Sequence, residues 1–538
     1  MSRIPQASLP VLLRERAESD PDAVLMEEVD GRSITVGDFH AASIKVADAL
    51  VSLGVAKGDC IATVLDPSIR TQSVWIGICW AGAMEVPVNP DFKGNSLVYA
   101  IGDCKARVVI TEAAYLSRIA EVFDKLPDVA MILTIDAADP TVGVPYRELA
   151  EVEANAPSVQ PMDPQLTDPY AVIYTSGTTG ASKGVVTPWG SLQHANSNQL
   201  FKGDDWSAYD DPTFYSPWPS FHSSGRTGLT FAGERSGRVV IRKRLSTSAF
   251  WDDIRRYRCT HAHLLGIAGW MMAQPAKAND ADNPLSRVLM NPVIENVAEF
   301  EKRFGVTVTT GWGMTEIGFP MASGKIQDYR SCGKLSEDYD VRIVDEDGND
   351  VPEGESGELI IRPHFRWLLF TEYLGKPEAT AKSWRDDWYC TGDVLRRDAE
   401  GNYFFVDRKS DYMRVAGNNV SSIELEGEAR LHPQVAEIAA VAVSSAELAQ
   451  AGLEQPAGED DIRVFVQREP GATISEEELV EHLAANLPRY MLPRLVEFVD
   501  SFPRTPTGKI QKKELRARPI SPGCWDRKAH SPRDRTTA

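Results

Sequence analysis

Short apolar runs of strand length alternate with helical stretches through about the first 300 residues of the chain. The runs Ile61–Leu65, Val108–Ile110 and Met131–Ile135 are examples, and each is rich in β-branched residues. Alternation of this kind predicts parallel sheets whose strands are joined by helical crossovers. We therefore expect an α/β fold for the large N-terminal part of the protein.

The pattern changes after about residue 335, where strand-like runs flank turn-rich segments. Val341–Val344 and Leu359–Ile361 flank Asp345–Asp350, and a second pair of runs flanks Asp398–Asn402. Such runs separated by acidic, glycine-containing turns predict antiparallel hairpins. We expect a small β-barrel-like subdomain over residues of about 335–408.

Beyond residue 407 the pattern becomes mixed α and β. Ser475 and Glu478 form a capping-box sequence, and Leu479 and Leu483 lie on one face of the helix that follows. From about residue 519 no periodicity remains. The predicted parts are an N-terminal domain of two α/β subdomains and the β subdomain (1–408), a smaller mobile α+β C-terminal domain (409–518) and a disordered tail (519–538).

Composition and charge restrict the classes of function. The chain has 538 residues, of which 43% are hydrophobic and 25% charged, as in ordinary globular proteins. Its net charge of −20 gives no general attraction to nucleic acid or to an anionic membrane. Seven cysteines without a metal-binding spacing favour a reducing cytoplasm, and the most apolar run, Val74–Met84, is too short for a membrane span. We expect a cytoplasmic enzyme without integral membrane contact.

The segment Tyr174–Gly184 is the most informative of the sequence, because it combines glycines, hydroxyl side chains and a lysine. Backbone N–H groups, hydroxyls and a cation can together bind a polyphosphate. Ser182 and Gly184 do not fit a Walker A loop, so this is another kind of phosphate loop. A flexible connector is the alternative. The candidate phosphate-binding residues are Thr175, Ser176, Gly177, Thr178, Thr179, Gly180 and Lys183.

This loop resembles that of the adenylate-forming superfamily of acyl-CoA synthetases, luciferases and peptide-synthetase adenylation domains. Further motifs follow in that superfamily's order over about residues 20–516. They are Ser33–Phe39, Ser220–Gly225, Gly311–Glu316, Tyr389–Asp393, Asp407–Glu426 and Pro506–Ile510. In its motifs, the chain most resembles the branch of crotonobetaine/carnitine-CoA ligase-like acyl-CoA ligases.

The resemblance implies a role for each motif. Glu316 would hold Mg²⁺, Trp312 would stack on adenine, Asp393 would accept the ribose hydroxyls, and Lys509 would bridge the acid oxygen and the α-phosphate. The other implied nucleotide-binding residues are Gly311, Gly313, Met314, Thr315 and Arg408. The implied catalytic residues are Lys509, Thr175, Lys183, Glu316 and His222. Ser410 would be the interdomain hinge, and Gly417 would allow close approach of the CoA pantetheine arm.

The resemblance also predicts where the acid binds. The expected pocket residues are Phe221, His222, Ser223, Gly225, Arg226 and Gly266. His222 either orients the carboxylate or is a packed wall residue, and Arg226 indicates either a polar or anionic acid or a structural ion pair. A hydrolase is rejected because no G-x-S-x-G elbow surrounds the serines. Ser182 stands where many relatives have proline, which predicts a looser phosphate loop.

The expected protein is an ATP- and Mg²⁺-dependent ligase that forms an acyl-AMP and transfers the acyl group to CoA as co-substrate. The alternative enzyme passes the adenylate to an amine or a carrier-protein thiol, or activates a small non-carboxylic oxyacid. A degenerate nucleotide-binding regulator is disfavoured because every expected catalytic charge is present. The identity of the acid and the formation of a homodimer are left open.

Overall fold

A computed structural model of the chain describes residues 5–139, 141–175, 182–196, 208–409, 411, 413–415, 418–453, 460–505, 508–522 and 524–530. Among the helices in these ranges, none has the length and apolar character needed to cross a bilayer. The fold is a large N-terminal α/β domain followed by a smaller α+β C-terminal domain, so the predicted fold class is confirmed.

The first α/β subdomain contains a parallel sheet. Its elements, with two strands that join the second sheet, are α1 (Leu9–Ser19), β1 (Val24–Glu28), β2 (Ser33–Thr35), α2 (Val36–Ser52), β3 (Cys60–Val64), α3 (Ile69–Trp80), β4 (Met84–Pro87), α4 (Gly94–Gly102), β5 (Val108–Thr111), α5 (Ala113–Ala120), the 3₁₀ turn Phe123–Lys125, β6 (Met131–Thr134), β7 (Arg147–Glu148) and α6 (Leu149–Asn155). The strand order is β4-β3-β5-β6-β7, and every pairing is parallel. The three apolar runs predicted as strands correspond to β3, β5 and β6.

The second α/β subdomain follows an antiparallel hairpin. Its elements are β8 (Pro169–Thr175), β9 (Lys183–Pro188), α7 (Trp189–His194), β10 (Thr213–Ser216), α8 (Ser224–Glu234), β11 (Arg238–Ile241), α9 (Phe250–Arg256), β12 (His261–Leu265), α10 (Ala268–Ala273), β13 (Arg287–Asn291), α11 (Val297–Phe304) and β14 (Thr307–Met314). Strands β1, β11, β10, β12, β13 and β14 are parallel neighbours in that order. Ligands bind beyond the carboxyl ends of such strands. The segments after β10 and β12 and the end of β14 carry the predicted acid and adenine motifs, so they meet at one edge.

An antiparallel layer continues from β14. Its elements are β15 (Gly318–Ser323), β16 (Ser331–Leu335), β17 (Tyr339–Val344), β18 (Ser356–Pro363), the 3₁₀ turn Arg366–Leu368, α12 (Pro377–Lys382), β19 (Trp384–Arg385), β20 (Trp388–Arg397) and β21 (Tyr403–Arg408). The register pairs Val341 with Ile361 and Arg397 with Tyr403, as the predicted hairpins require. The layer therefore places β20 and β21 beside the end of the second parallel sheet.

The C-terminal domain has its own sheet and apolar core. Its elements are β22 (Met413–Val415), β23 (Asn418–Val420), α13 (Ser422–Arg430), β24 (Val435–Val443), α14 (Ser445–Gln450), β25 (Asp461–Arg468), α15 (Glu476–Asn486), the 3₁₀ turn Arg489–Met491, β26 (Leu495–Phe498), α16 (Lys512–Arg516), β27 (Trp525–Asp526) and α17 (Arg527–His530). The main sheet has the order β24-β25-β26-β27. Both reciprocal hydrogen bonds of the capping box at Ser475 and Glu478 are present, and Leu479 and Leu483 are buried.

The prediction of a disordered tail from residue 519 is wrong for residues 524–530. Strand β27 pairs with β26, and the carboxylate of Asp526 accepts from the buried guanidinium of Arg494, with Nη2 and Oδ2 3.2 Å apart. These contacts are with residues about 30 positions earlier, so local periodicity carries no sign of them. The boundaries at residues 408 and 518 stay predictions.

Arg226 is a structural residue rather than part of the acid pocket. It is fully buried on α8, its Nη2 lies 2.5 Å from Oε2 of Glu85 on β4, and its guanidinium lies 4.4 Å from the ring centroid of Trp75. Thr63 donates to the other oxygen of Glu85. The structure therefore favours the ion-pair alternative, and this pair ties α8 to the first sheet.

We expect Arg226→Met to lower the free energy of unfolding of the N-terminal domain by about 3–5 kcal/mol, because it leaves the Glu85 carboxylate buried without a counter-charge. Urea denaturation followed by tryptophan fluorescence measures the change. Arg397→Met removes an exposed ion pair with Glu353 and should cost less than about 1 kcal/mol. Equal losses in the two variants would contradict a structural role for the buried pair.

Candidate active site

The phosphate-loop hairpin places Thr175 and Lys183 opposite each other at the ends of β8 and β9. The predicted residues Ser176, Gly177, Thr178, Thr179 and Gly180 lie outside the described residues. Ser182 donates from Oγ to the carbonyl of Thr175, and its own carbonyl accepts from the hydroxyl of Tyr99 at 2.5 Å. The serine that was expected to loosen the loop thus ties its two ends together.

Lys183 and Glu316 are connected through Tyr373. The Lys183 ammonium lies 4.5 Å from the Tyr373 ring centroid, and the Tyr373 hydroxyl donates to Oε1 of Glu316 at 3.0 Å. Burial raises the pKa of Glu316, while the Tyr373 hydrogen bond and the charges of Arg408 and Lys183 oppose this shift. Sequence reasoning missed Tyr373, because a single tyrosine outside every motif gives no signal.

The Gly311–Thr315 segment carries Trp312 toward the ribose motif. A Cβ at Gly313 would collide with the carbonyl of Gly318 on the neighbouring strand, which accounts for glycine at that position. Trp312 is only 8% exposed, and its indole N–H donates to Oδ2 of Asp393 at 3.2 Å. The role that the structure shows for Trp312 is therefore to hold a carboxylate, and stacking on adenine stays a prediction. Met314 and Thr315 continue into the turn before β15.

Asp393 and Arg408 face each other across β20 and β21. They are register partners, and Nε of Arg408 lies 3.1 Å from Oδ1 of Asp393. Burial raises the pKa of Asp393 to about 6, although the Arg408 charge and the Trp312 hydrogen bond oppose that shift. Asp393 is therefore ionised at neutral pH and becomes protonated below about pH 6.

Lys509 comes from the C-terminal domain and lies near the same groups. Desolvation lowers the pKa of Lys509, the Arg408 charge lowers it further, and Asp393 opposes both effects. The side chain still reaches solvent. Charges from five separate motifs therefore come together in one cleft, namely Lys183, Glu316, Asp393, Arg408 and Lys509.

His222, which the sequence predicts to lie in the acid pocket, lies close enough to this group for the Lys509 charge to act on it. The backbone N–H of Ser224 donates to Nδ1 of His222 at 3.3 Å, and the Ser224 hydroxyl lies 2.9 Å from the same nitrogen. Because a backbone N–H can only donate, Nδ1 is the acceptor and Nε2 carries the proton. Desolvation, and after it the Lys509 charge, lower the pKa of His222. His222 is thus a neutral imidazole with an N–H available for an oxygen ligand.

The remaining predicted pocket residues have different positions. Phe221 and Ser223 are half-buried beside His222, at the start of α8. Gly225 is buried, and a Cβ there would collide with the carbonyl of Pro219, so packing explains this glycine. Gly266 follows β12 with a positive φ of 67° and has open space at its Cβ position. Ser410 and Gly417, the predicted hinge and CoA residues, lie outside the described residues.

The chain belongs to the AMP-binding enzyme family. The model of that family matches residues 13–374, and the model of the AMP-binding enzyme C-terminal domain matches residues 424–509. The protein is therefore an adenylate-forming enzyme, as the order of its motifs indicates. Both matches lie within the regions that we assigned to the two domains.

Individual relatives cover nearly the whole chain. The crotonobetaine/carnitine–CoA ligase of Salmonella heidelberg is 28% identical over 513 residues, which are 92% of this chain and 96% of the relative. The ATP-bound MatB structure from Rhodopseudomonas palustris is 25% identical, with a TM-score of 0.79 over 95% of this chain and 98% of that one. The amide bond synthetase McbA of Marinactinospora thermotolerans shares the fold at 22% identity and a TM-score of 0.77, over 94% and 99% of the two chains.

We expect the KM for ATP to rise as the pH falls through 6, by up to about tenfold per pH unit, because the Asp393 carboxylate becomes protonated there. Asp393→Asn should raise this KM at pH 7.5 and give a flatter profile between pH 8 and 5.5. Initial rates of pyrophosphate release at saturating acid measure both enzymes. Protonation of ATP itself affects the two equally, so the same pH profile in wild type and variant would contradict the assignment.

Proposed function

We propose that the protein is an acid–CoA ligase, which activates a carboxylic acid as acyl-AMP with release of pyrophosphate and transfers the acyl group to CoA. The observation that carries this proposal is the convergence of Lys183, Glu316, Asp393, Arg408 and Lys509 beside a neutral histidine. ATP and a small acid are the substrates that such a cleft fits. The cytoplasmic location is still a prediction from the sequence. We make no proposal about a homodimer.

The first half-reaction joins the acid to AMP. A carboxylate oxygen attacks the α-phosphorus, its new P–O bond replaces the bond to pyrophosphate, and negative charge builds on the phosphate oxygens. His222 donates from Nε2 to the acid and orients it, while Lys509 stabilises the charge between acid and α-phosphate. Asp393 and Arg408 hold the ribose, and Lys183 with the phosphate loop binds the departing pyrophosphate.

Glu316 is the residue that would hold Mg²⁺. It is a buried carboxylate with one oxygen bonded to Tyr373, and carboxylate oxygen is the ligand type that Mg²⁺ takes together with substrate phosphates. When bound, the ion would neutralise charge on the phosphate oxygens.

The second half-reaction transfers the acyl group to the CoA thiol, and AMP leaves. The relatives named crotonobetaine/carnitine–CoA ligase support CoA as the acceptor, since they cover 92% of this chain. We further propose that the C-terminal domain rotates about Ser410 between the steps, which would withdraw Lys509 and expose the adenylate to the thiol. An amine or a carrier-protein thiol is the competing acceptor.

We predict that Lys509→Ala slows acid-dependent ATP–pyrophosphate exchange by roughly 100-fold or more, because the lysine acts on charge developing at the α-phosphate. Thioester formation from presynthesised acyl-AMP should remain within about threefold of wild type. Lys513→Ala, an exposed lysine four residues later, serves as the control and should leave both rates unchanged. If a folded Lys509→Ala protein lost both half-reactions equally, the proposal that Lys509 acts in adenylation and not in thioester formation would be refuted.

We expect the wild type to consume the CoA thiol in proportion to pyrophosphate release, for at least one acid in a panel of different length and polarity. Gly417→Leu should keep pyrophosphate release and lose thioester formation, because its side chain would obstruct the pantetheine arm. Thiol titration alongside a pyrophosphate assay measures both products. Turnover that needs an amine and never consumes thiol would replace CoA ligation with the competing acceptor.

A further inference from the structure

Tyr373 lies between the phosphate-loop hairpin and the carboxylate that we propose to hold Mg²⁺. Its side chain is buried and makes two polar contacts with different parts of the ring system. The Lys183 ammonium lies 4.5 Å from the ring centroid, and the hydroxyl donates to Oε1 of Glu316 at 3.0 Å. One uncharged side chain therefore contacts both the cation and the anion that would act on the phosphates of ATP.

The backbone around Tyr373 is attached to the same two parts of the site. Two N–H groups of residues 370–374 donate to carbonyls of β9, at 2.8 Å each, and a third donates to the carbonyl of Glu316, at 2.7 Å. The donors are, in that order, Thr371, Leu374 and Phe370. Since β9 begins with Lys183, the position of Tyr373 is fixed relative to both charged residues.

A second buried tyrosine determines the direction of the Tyr373 hydroxyl. The hydroxyl oxygens of Tyr373 and Tyr389 are 3.3 Å apart. Because a carboxylate oxygen only accepts, the single O–H of Tyr373 is directed at Glu316, and Tyr389 donates to the Tyr373 oxygen. Tyr389 itself lies on β20, four residues before Asp393. The orientation of the Glu316 carboxylate is therefore held by a chain of two hydroxyls.

The two contacts of Tyr373 concern different interactions with ATP. The ring attracts the Lys183 ammonium and restricts its position, and this lysine would bind phosphate directly. The hydroxyl restricts the Glu316 carboxylate, which would act on the phosphates through Mg²⁺. Loss of the hydroxyl alone should therefore change the binding of ATP only when Mg²⁺ is present.

We propose that Tyr373 is a positioning residue, whose hydroxyl orients Glu316 and whose ring positions Lys183 for the binding of ATP with Mg²⁺. This inference rests on the proposed function, since it concerns the same cleft and the same substrate. It assigns a role to an uncharged residue that touches neither the acid nor the reacting phosphorus. Its effect should appear as the dependence of ATP affinity on Mg²⁺ and not as a general loss of stability.

The experiment measures equilibrium binding of ATP in the absence of an acid, so that no adenylate forms. Calorimetric titration gives the dissociation constant in excess EDTA and in excess Mg²⁺, and the ratio of the two is the gain that Mg²⁺ provides. We expect Tyr373→Phe to lower this gain by about tenfold, because it removes a hydrogen bond to a charged group. Binding in EDTA should stay within about twofold of the wild type, because the ring remains.

Two further variants separate the contacts of Tyr373. Tyr373→Leu removes the ring as well and should also weaken binding in EDTA, by about threefold or more. Glu316→Gln should lower the gain from Mg²⁺ by itself. Adding Tyr373→Phe to Glu316→Gln should then change the gain by less than about twofold, because the hydroxyl acts through the carboxylate.

Tyr215→Phe is the matched control, because it removes another buried tyrosine hydroxyl that donates to a carboxylate. The partner is Asp253, and the two oxygens are 2.6 Å apart. This variant should lower the melting temperature without changing either dissociation constant. A merely structural role for Tyr373 would give the same result in Tyr373→Phe.

The outcomes separate the two proposals. If the wild type binds ATP neither in EDTA nor in Mg²⁺, the proposed function fails. If it binds ATP and Tyr373→Phe keeps the wild-type gain from Mg²⁺, only the positioning role fails. The same holds if Tyr373→Phe lowers the gain as much in the Glu316→Gln background as in the wild type. Tyr373→Phe keeps nearly all of the side-chain volume, so it decides the matter even if Tyr373→Leu does not fold.

Discussion

The pairing of Asp393 with Arg408 is the interaction on which the proposed nucleotide-binding side of the cleft depends. One Asp393 oxygen accepts from the indole of Trp312 on β14, and the other faces Arg408 on β21. Burial alone would favour the protonated acid, so the carboxylate is kept ionised at neutral pH by these two partners. Arg408 is also the last residue of β21 and a neighbour of Lys509, so the same pair connects the N-terminal domain with the lysine that we propose to be catalytic in the C-terminal domain.

The segment that joins the domains is held by a second buried carboxylate, Asp407. Its Oδ2 accepts from the backbone N–H of Ser422 at the start of α13, at 2.6 Å, and the hydroxyl of Ser421 donates to the carbonyl of Val406 at 2.8 Å. Burial raises the pKa of Asp407, and the charge of the nearby Lys512 opposes that rise. A domain rotation about Ser410 would have to exchange these bonds for others, because a buried carboxylate without partners is costly. The observed arrangement of this segment is therefore held by specific contacts.

Sequence patterns predicted the features that depend on neighbouring residues. The strands β3, β5 and β6, the two hairpins and the Ser475 capping box all follow from local periodicity and turn chemistry. The charged site residues were found through motifs whose order is distinctive. Contacts between distant segments were not predictable: Tyr373 meets Glu316 across 57 residues, Arg226 meets Glu85 across two subdomains, and the folded residues 524–530 depend on Arg494. Nothing in the local sequence of these residues distinguishes them from ordinary surface or core positions.

The two sides of the cleft differ in their electrostatics, and the buried ion pair of Arg226 contributes to that difference. The proposed nucleotide-binding side contains Lys183, Arg408 and Lys509, three cations that suit a polyphosphate. On the side predicted to bind the acid, His222 is a neutral tautomer and the ring of His263 is neutral, while the Arg226 charge is buried away from the pocket against Glu85 and Trp75. Among the described residues, Lys509 is the charged group that lowers the pKa of His222, which agrees with the proposed position of the acid's carboxylate between His222 and Lys509. Orientation of the acid then follows from where charge is present and where it has been neutralised.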